Sequence, residues 1–245
     1  MATTKSPKFP REKIYEGSEK IFYSCDEDFA LIEFFKDTTK LQDGKVIESS
    51  GKGVIRNSIS SFLMNKLDMA GIDNHLIEKI NMREQMIQMV DMLPMQVSVS
   101  YLACGRYISE FGLEEGYVFD RPMIDFYFKT VDKLLPACNE NHIMNLCLLT
   151  SYEIDAIKKI VTRAADFLSG FFASSGIRLV EAKFELGKVF TGEEFIMMIA
   201  DEVSPDNCRL WDLDSNDKLD FEAISKNPDH AIKIYEEVAK RIGVR

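Results

Sequence analysis

Histidine and cysteine, the usual ligands of structural metals and the source of disulfides, are scarce in this sequence. Three of the 245 residues are histidines and five are cysteines, and no two cysteines stand in a Cys-x-x-Cys arrangement. Isolated histidines argue against a zinc site, because zinc needs several such ligands together. An odd and unpatterned set of cysteines is typical of reduced thiols, which predicts a cytoplasmic protein.

Long apolar runs and an excess of positive charge are also missing. No apolar run is long enough to span a membrane, and the N-terminal MATTKSPKFPREK is polar, so we expect neither a membrane helix nor a signal peptide. The formal net charge of −10 argues against a nucleic-acid-binding protein, which needs a basic surface. It is compatible with small anionic substrates, because a few lysines and arginines suffice for a local positive pocket.

The most informative stretch is residues 177–212, IRLVEAKFELGKVFTGEEFIMMIADEVSPDNCRLWD. Apolar and charged residues alternate in its first part. The apolar residues are Val180, Ala182, Phe184 and Leu186, and the charged residues between them are Glu181, Lys183 and Glu185. This period of two predicts a β-strand with one buried face. Same-face neighbours on a strand are about 7 Å apart, so the three charged side chains can act on one ligand.

A second strand is expected directly afterwards. The turn-rich GKVFTGEE predicts a hairpin, and its return strand, FIMMIADE, would bring Asp201 near Glu185. Two facing carboxylates repel each other unless a cation lies between them. SPDNCRLWD then predicts a turn with Arg209 and Asp212 around the single tryptophan. The alternative is a solvated strand face, a turn and a core tryptophan, with no ligand site.

Two pieces of this stretch, LVEAKFELG and ADEVSPDNCRLWD, resemble the signature of the phosphoribosylaminoimidazole-succinocarboxamide synthase (SAICAR synthetase) family, and the resemblance covers residues 13–244. It implies an ATP- and Mg²⁺-dependent ligase that joins L-aspartate to carboxyaminoimidazole ribonucleotide in purine biosynthesis. It further implies a homodimer that binds neither nucleic acid nor membranes. The implied fold is α+β in two lobes, an N-terminal antiparallel sheet lobe and a larger C-terminal α/β lobe, with ATP between them.

The resemblance also implies which residues form the site. Gly17 and Lys20 are implied as contacts of the ATP phosphates. Val90 and Met92 are implied for the hinge that meets the adenine, and Lys129 for a further phosphate or carboxylate contact. Glu185 and Asp201 are implied as ligands of Mg²⁺. Glu181, Lys183 and Arg209 are implied for catalysis and substrate binding. At the position of Glu181 the family usually has an aspartate.

The sequence departs from the family at positions expected near phosphates. The phosphate loop is usually Gly-Lys-Ala-Lys, whereas residues 17–20 read GSEK, so Ser18 replaces a lysine. Ser100 stands where the family has an arginine and Arg106 where it has a serine, and our hypothesis is that Arg106 supplies the missing guanidinium. Ser225 replaces a second arginine, and the adjacent Lys226 is a candidate to compensate for it.

Local patterns predict the remaining N-terminal elements. Residues 13–23 predict two strands around a glycine turn, residues 29–35 a strand, and residues 36–44 a polar loop. Residues 51–71 predict a helix capped by Asn57 or Ser58 and stopped by Gly71. His75 is expected to be a core or surface histidine rather than a ligand.

Residues 81–99 give two conflicting predictions. Methionines at positions 82, 86, 89, 92 and 95 are spaced almost as in an amphipathic helix. The resemblance instead implies strand, hinge and strand, and Pro94 fits a break in a helix. We therefore expect two strands, with most of these methionines filling core.

A long helix and a terminal helix are expected in the C-terminal part. Thr150 and Glu153 form a capping-box pattern for a helix that ends at Gly176. Its predicted buried stripe consists of Ile154, Ile157, Val161, Ala164 and Leu168. Pro228 is expected to start the last helix.

The chain is long enough for this organisation, since 46% of its 245 residues are hydrophobic. We expect a loose lead-in at residues 1–12, an ATP-binding lobe at 13–95 and a substrate- and metal-binding lobe at 96–245. The substitutions at Ser100, Arg106 and Ser225 leave two alternatives. One is another ATP-dependent carboxylate–amine ligase or kinase on the same scaffold, and the other is a nucleotide-binding protein without catalysis.

Overall fold

The computed structural model describes residues 11–40, 44–130, 134–146, 149–226 and 231–244, without the side chains of residues 225, 226 and 231. Within these ranges the chain forms thirteen strands and six helices, and both larger sheets are antiparallel. This confirms the predicted α+β fold class. None of the helices in the described ranges is long and apolar enough to cross a membrane.

The N-terminal strands form one sheet and a separate hairpin. They are β1 (Lys13–Glu16), β2 (Lys20–Ser24), β3 (Ala30–Phe35), β4 (Thr38–Lys40), β5 (Val46–Glu48), β6 (Leu76–Lys79) and β7 (Glu84–Gln88). The five-stranded sheet has the order β1-β2-β3-β7-β6, and β4 pairs with β5. The predicted strands around Gly17 and at residues 29–35 are present. The prediction of a plain loop at residues 36–44 is wrong, because β4 pairs with a strand that lies outside that window.

The C-terminal strands form the larger sheet. They are β8 (Asp91–Leu102), β9 (Val118–Lys129), β10 (Leu134–Cys138), β11 (Ile177–Phe190), β12 (Phe195–Ala200) and β13 (Cys208–Asp212). Their order is β10-β9-β8-β11-β12, and β13 pairs with the first half of β11. The prediction of a turn at SPDNCRLWD is therefore wrong for its last five residues. The hairpin turn is also shorter than predicted, because β11 continues to Phe190.

The long predicted helix supports the apolar face of this sheet. The helices are α1 (Lys52–Met69), α2 (Arg106–Ser109), α3 (Glu140–Asn145), α4 (Ser151–Ser174), α5 (Phe221–Lys226) and α6 (Ala231–Arg241). Thr150 and Glu153 cap α4 reciprocally, as predicted. All five residues of its predicted stripe are fully buried, and they share one core with Ala182, Phe184 and Leu186 of β11. The predicted start at Pro228 of the last helix lies outside the described residues.

The start of α1 differs from the prediction. Neither Asn57 nor Ser58 caps it, because the helix begins five residues earlier, after Gly51, whose φ of 88° is left-handed. Asp37 accepts a hydrogen bond from the backbone N–H of Gly53 at 2.9 Å, so a residue from the preceding strand region satisfies a free donor of the first turn. Gly71, with φ of 69°, follows the helix end as predicted.

Residues 81–99 form strands, as the resemblance implies. β7 and β8 flank a two-residue hinge at 89–90, and β3 and β11 provide their pairing partners. Pairing to neighbouring strands overrides the helical spacing of the methionines. The expectation that most of these methionines fill core is wrong, because Met82, Met89 and Met92 are exposed and Met95 alone is fully buried.

Candidate active site

A cavity of about 460 Å³, the inter-sheet pocket, lies between the five-stranded sheet and the edge of the larger sheet. Its apolar lining includes Phe22, Leu31, Ile87 and Leu93. The predicted site residues that line it are Gly17, Lys20, Val90, Met92, Lys129, Glu185 and Asp201. Residues from six separate segments of the chain thus meet in one cavity with an apolar wall and a charged end.

Lys20 lies at the charged end of the inter-sheet pocket. Its Nζ is 2.5 Å from Asp201 Oδ1, 2.7 Å from Glu33 Oε1 and 3.9 Å from Glu202 Oε2. Burial alone lowers the pKa of Lys20, but the charges of Asp201, Glu202 and Glu33 outweigh burial and raise it. Lys20 is therefore a fixed cation at neutral pH, as a phosphate contact requires.

Glu185 and Asp201 approach each other across the end of β12. Glu185 pairs with Ala200 in the β11–β12 ladder, and Asp201 is the next residue. Burial, and then the charge of Asp201, raise the pKa of Glu185, although Lys129 donates a hydrogen bond to it and opposes the rise. Burial raises the pKa of the Asp201 carboxyl, but the charge and hydrogen bond of Lys20, together with the charges of Lys129 and Arg56, outweigh burial and lower that pKa to about 2. The hairpin thus places two carboxylates where each affects the ionisation of the other.

The hinge at residues 89–90 packs closely on β11. A Cβ atom at Gly187 would lie 2.4 Å from the Val90 side chain, so only glycine allows the hinge to approach the strand this closely. Val90 and Met92 line the pocket together with Gln88 and Met89. The hinge therefore forms part of the wall of the pocket.

The other predicted residues form a polar sheet face, which we define as Glu181, Lys183 and Glu185 of β11 with Arg209 of β13. Arg209 Nε donates to Glu181 Oε2 at 3.0 Å, and Lys183 Nζ lies 3.6 Å from the same oxygen. Arg209 Nη1 also donates to Glu222 Oε2 at 3.0 Å. The alternation of β11 thus puts all three charged residues on one face, and Glu185 belongs to both this face and the pocket.

The substituted positions lie beside this face. Ser100 pairs with Glu181 across the β8–β11 ladder, and its Oγ is 3.4 Å from Glu181 Oε1. Arg106 begins α2, and its guanidinium lies 2.9 Å from Asp125 Oδ1 and 3.1 Å from Glu110 Oε2. A Cβ atom on Gly105 would lie 3.2 Å from Arg209 Nη2, so the chain segment that carries Arg106 adjoins the polar face.

Ser225 and Lys226 end α5, and their side chains lie outside the described residues. The helix itself contributes Glu222, which binds both Arg209 and Lys218, with 2.7 Å between Lys218 Nζ and Glu222 Oε1. α5 therefore reaches the polar sheet face through Glu222.

Sequence reasoning missed Glu33, which is fully buried and accepts from Gln85 Nε2 at 2.5 Å while facing Lys20. Burial raises its pKa, and the charge of Lys20 opposes this rise. A signal was present, because Glu33 is the single charged residue of the strand ALIEFF. A charge that stays in such a strand needs a buried partner.

A buried ion network behind the phosphate loop was also missed. Arg56 of α1 binds Glu202 at 2.6 Å and Asp206 at 3.0 Å, and Lys52 lies 3.0 Å from Asp206. Glu19 of the loop is 3.6 Å from Arg56 and 3.8 Å from Lys52. The signal was that Lys52 and Arg56 fall at helical spacing on the same face of α1 as Ile59, Leu63 and Leu67, which are fully buried.

The comparisons with known proteins agree with one another. A sequence profile of the family described as SAICAR synthetase matches residues 13–242. The chain is 54% identical over 232 residues to the phosphoribosylaminoimidazole-succinocarboxamide synthase of Rickettsia felis, which covers 95% of this chain and 98% of that protein.

Solved structures give the same result. The phosphoribosylaminoimidazole-succinocarboxamide synthase of Ehrlichia chaffeensis superposes with a TM-score of 0.91 at 36% identity, covering 96% of this chain and 99% of that one. A type-2 SAICAR synthetase in complex with ADP superposes with a TM-score of 0.86 at 31% identity, covering 93% and 96% of the two chains.

Proposed function

The chain belongs to the SAICAR synthetase family, and on that basis we propose how the inter-sheet pocket and the polar sheet face share the work of one reaction. The protein is an ATP-dependent ligase of purine biosynthesis. It joins L-aspartate to 5-amino-1-(5-phospho-D-ribosyl)imidazole-4-carboxylate and releases the succinocarboxamide, ADP and phosphate.

ATP occupies the inter-sheet pocket in this proposal. The adenine lies against the hinge residue Val90 and the adjacent Met92 of β8, which both line the pocket. The phosphates lie at the charged end, near the backbone of Gly17 and the ammonium groups of Lys20 and Lys129. The solved relative that holds ADP supports a nucleotide in this fold.

Glu185 and Asp201 are the residues that would hold Mg²⁺ beside the phosphates of ATP. No cluster of three or more His, Cys, Asp or Glu residues that could hold an ion occurs in the described part of the chain. Two carboxylates are nevertheless a suitable donor set, because Mg²⁺ commonly takes one or two carboxylates and completes its shell with phosphates and water. When bound, the ion would neutralise charge on the phosphates during transfer. Burial, and then repulsion by Asp201, raise the pKa of Glu185, and a cation beside the two carboxylates would relieve that repulsion.

Amide formation from a carboxylate needs a leaving group. An oxygen of the imidazole carboxylate attacks the γ-phosphorus of ATP, and ADP leaves. The amine of aspartate then attacks the acyl carbon, inorganic phosphate leaves, and the amine loses a proton. Both steps depend on positioning and on neutralising negative charge rather than on a protein nucleophile.

The polar sheet face supplies the substrate contacts. Lys183 and Arg209 bind the negative groups of the ribonucleotide and of aspartate. Glu181 orients both cations, since one of its oxygens lies within 3.6 Å of Lys183 and 3.0 Å of Arg209. Arg106 contributes a guanidinium near the position of the arginine that Ser100 replaces.

The observation that carries the proposal is the course of β11. Glu181, Lys183 and Glu185 are successive same-face residues, each about 7 Å from the next. Glu181 contacts the cations of the polar face, and Glu185 lines the pocket beside Asp201. A single rigid strand therefore fixes the distance between the carboxylate to be activated and the phosphate that activates it.

The direct test mixes the purified protein with ATP, Mg²⁺, L-aspartate and the carboxyaminoimidazole ribonucleotide and follows the succinocarboxamide by absorbance. We expect product only when all four are present. Binding of ATP and Mg²⁺ without binding of the ribonucleotide, and without product, would favour another ATP-dependent carboxylate–amine ligase or kinase, and the search would turn to other carboxylates. Absence of both product and ATP turnover would favour a nucleotide-binding protein without catalysis.

We also propose that the protein works as a cytoplasmic homodimer. The four cysteines in the described residues are all free, which fits a reducing compartment. We propose a lead-in at residues 1–12, a nucleotide lobe at 13–95 and a substrate lobe at 96–245, supported by the separation of the two larger sheets. Light scattering of the purified protein tests the dimer.

A further inference from the structure

Asp201 has an unusual backbone. Its φ of 63° lies in the left-handed region, which it shares with two other non-glycine residues of the described chain, Phe29 and Asn216. This region costs free energy for any residue with a Cβ atom, so it persists only where surrounding contacts enforce it. Asp201 directly follows β12, and its conformation turns the carboxylate towards Lys20.

The side chain of His75 contacts this backbone. Its Nε2 lies 2.8 Å from the carbonyl oxygen of Asp201. A carbonyl can only accept, so Nε2 carries the proton and donates it. Burial, and then the charge of Lys20, lower the pKa of His75 to about 4, so the ring is neutral at physiological pH.

The main chain of His75 is itself fixed on both sides. Its N–H donates to the carbonyl of Ile199 in β12 at 2.9 Å, and its carbonyl accepts from the N–H of Gln88 at 2.7 Å. Gln88 ends β7 and directly precedes the hinge. The backbone that carries the imidazole is thus hydrogen-bonded to the return strand of the hairpin and to Gln88, the residue before the hinge.

We propose that His75 is a positioning residue, which fixes the left-handed backbone of Asp201 and so aims its carboxylate at the divalent cation of the bound nucleotide. This rests on the proposed Mg²⁺ site. A histidine that only fills space would need no donor at Nε2, whereas a positioning residue needs the donor at that atom. The two roles therefore respond differently to substitutions that keep or remove the N–H group.

Three substitutions separate these roles. His75→Leu keeps an apolar side chain of similar size and removes the donor. His75→Gln keeps an N–H near the place of Nε2, because the glutamine amide extends about as far as that atom. His75→Asn is polar but too short to reach it. Thermal unfolding identifies any variant that does not fold, and if His75→Leu fails, the Gln and Asn variants alone still provide the comparison.

The measurement is ADP binding by titration calorimetry, with excess Mg²⁺ and again with EDTA. We expect His75→Leu and His75→Asn to raise the Kd for ADP about tenfold in Mg²⁺ and less than about twofold in EDTA. A tenfold change corresponds to the free energy of about one hydrogen bond. His75→Gln should bind ADP in Mg²⁺ nearly as the wild type does. Half-saturation of the Leu and Asn variants should also need more Mg²⁺.

Two results would overturn the inference. One is equal loss of affinity with and without Mg²⁺, and the other is a Gln variant that binds no better than the Asn variant. Wild-type protein that binds ADP equally well in Mg²⁺ and EDTA would instead overturn the metal assignment on which the inference rests. The wild-type titration therefore distinguishes failure of the proposed function from failure of the role of His75.

Discussion

Lys20 and Asp201 form an ion pair of 2.5 Å although 181 residues separate them in the chain. Lys20 begins β2 of the five-stranded sheet, and Asp201 follows β12 of the larger sheet, so the pair joins the two sheets at the inter-sheet pocket. Glu33 and Glu202 lie beside the same ammonium group. Because Glu202 is paired with Arg56 at 2.6 Å, Lys20 faces two further carboxylates, Glu33 and Asp201, and a divalent cation in the pocket would offset the negative charge that remains.

Lys20→Met should destabilise the fold as well as remove nucleotide binding. The substitution leaves Glu33, which is fully buried, and Asp201 without their cation. Removing one member of a buried ion pair leaves an uncompensated charge, so we expect the free energy of unfolding to fall by about 3 kcal/mol. Urea denaturation measures this change.

Lys13→Met is the matched control for this substitution. Lys13 in β1 pairs with Glu16 at 2.7 Å, but its side chain is 55% exposed. Water solvates Glu16 when its partner is lost, so urea denaturation should show no measurable change. Equal destabilisation by the two substitutions would show that the burial of Lys20 is not the source of its effect.

Asp201→Asn should raise the Mg²⁺ concentration that half-maximal turnover requires. Asparagine keeps the size of the side chain and removes the charge, so at saturating ATP the loss should be partly recovered by more Mg²⁺. The assay is product formation against Mg²⁺ concentration, with the exposed Asp120→Asn on β9 as control. Near-normal turnover of Asp201→Asn at limiting Mg²⁺ would contradict the metal assignment.

Arg106→Ala should raise the KM for the ribonucleotide and leave that for ATP nearly unchanged. Hydrogen bonds to charged groups contribute about 1.5–3 kcal/mol, which corresponds to an increase in KM of at least about tenfold. Arg121→Ala removes the same charge from an exposed position in β9 and serves as control. Small and equal effects on both substrates would show that Arg106 does not replace the arginine missing at Ser100.

Glu153→Gln tests a stabilising charge at the start of α4. The hydrogen bond from Lys188, followed by that from the Thr150 backbone, lowers the pKa of Glu153 from 4.5 to about 2. A lowered pKa means that the charged form stabilises the fold fully above pH 4.5 and that this contribution is lost as the pH falls through 2.

Glutamine preserves the capping-box geometry, so the variant isolates the charge. We expect it to be less stable than the wild type at pH 7, by less than about 1 kcal/mol, since the site is partly solvated. Denaturation at pH 7 and at about pH 3 should show the difference shrinking on acidification. A difference that is independent of pH would assign the effect to lost packing.

The strand that carries the polar sheet face followed from local pattern, whereas most of the candidate site residues were implied by the family resemblance. The alternation of Glu181, Lys183 and Glu185 predicts one face of one strand, because side chains in a strand point to opposite sides in turn. The helix α4 was equally predictable, because its cap and its buried stripe are both encoded within its own sequence. Neither feature depends on a distant part of the chain.

The features that sequence reasoning missed depend on distant partners. Glu33 faces Lys20 of another strand, and no local spacing records such a contact. His75 is buried, in agreement with the expectation of a core or surface histidine, but its contact with the carbonyl of Asp201 could not be read from the sequence. β4 and β13 are short strands whose formation depends on pairing with another segment. The start of α1 was misplaced for the same reason, since Asp37 lies outside the helix.

Ser18→Lys should strengthen ADP binding. The phosphate loop, residues 17–20, reads GSEK in this chain. The usual loop of the family, Gly-Lys-Ala-Lys, has a lysine at the position of Ser18. Ser18 is exposed and its carbonyl accepts from Thr38 Oγ1 at 2.5 Å, a backbone contact that the substitution retains. A positive unit charge near the phosphates in water contributes about 1 kcal/mol to the free energy of binding, so the Kd for ADP should fall about fivefold.

Ser174→Lys separates this local effect from a change in net charge. Ser174 is exposed at the end of α4, which packs on the apolar face of the larger sheet, and it does not line the pocket. Both variants change the net charge by one unit, but Ser174→Lys should leave the Kd for ADP unchanged. The gain from Ser18→Lys should also shrink at high salt, because salt screens exposed charges beyond about 10 Å at 0.1 M. Equal gains from both variants would mean that long-range attraction, rather than a contact in the phosphate loop, governs nucleotide affinity.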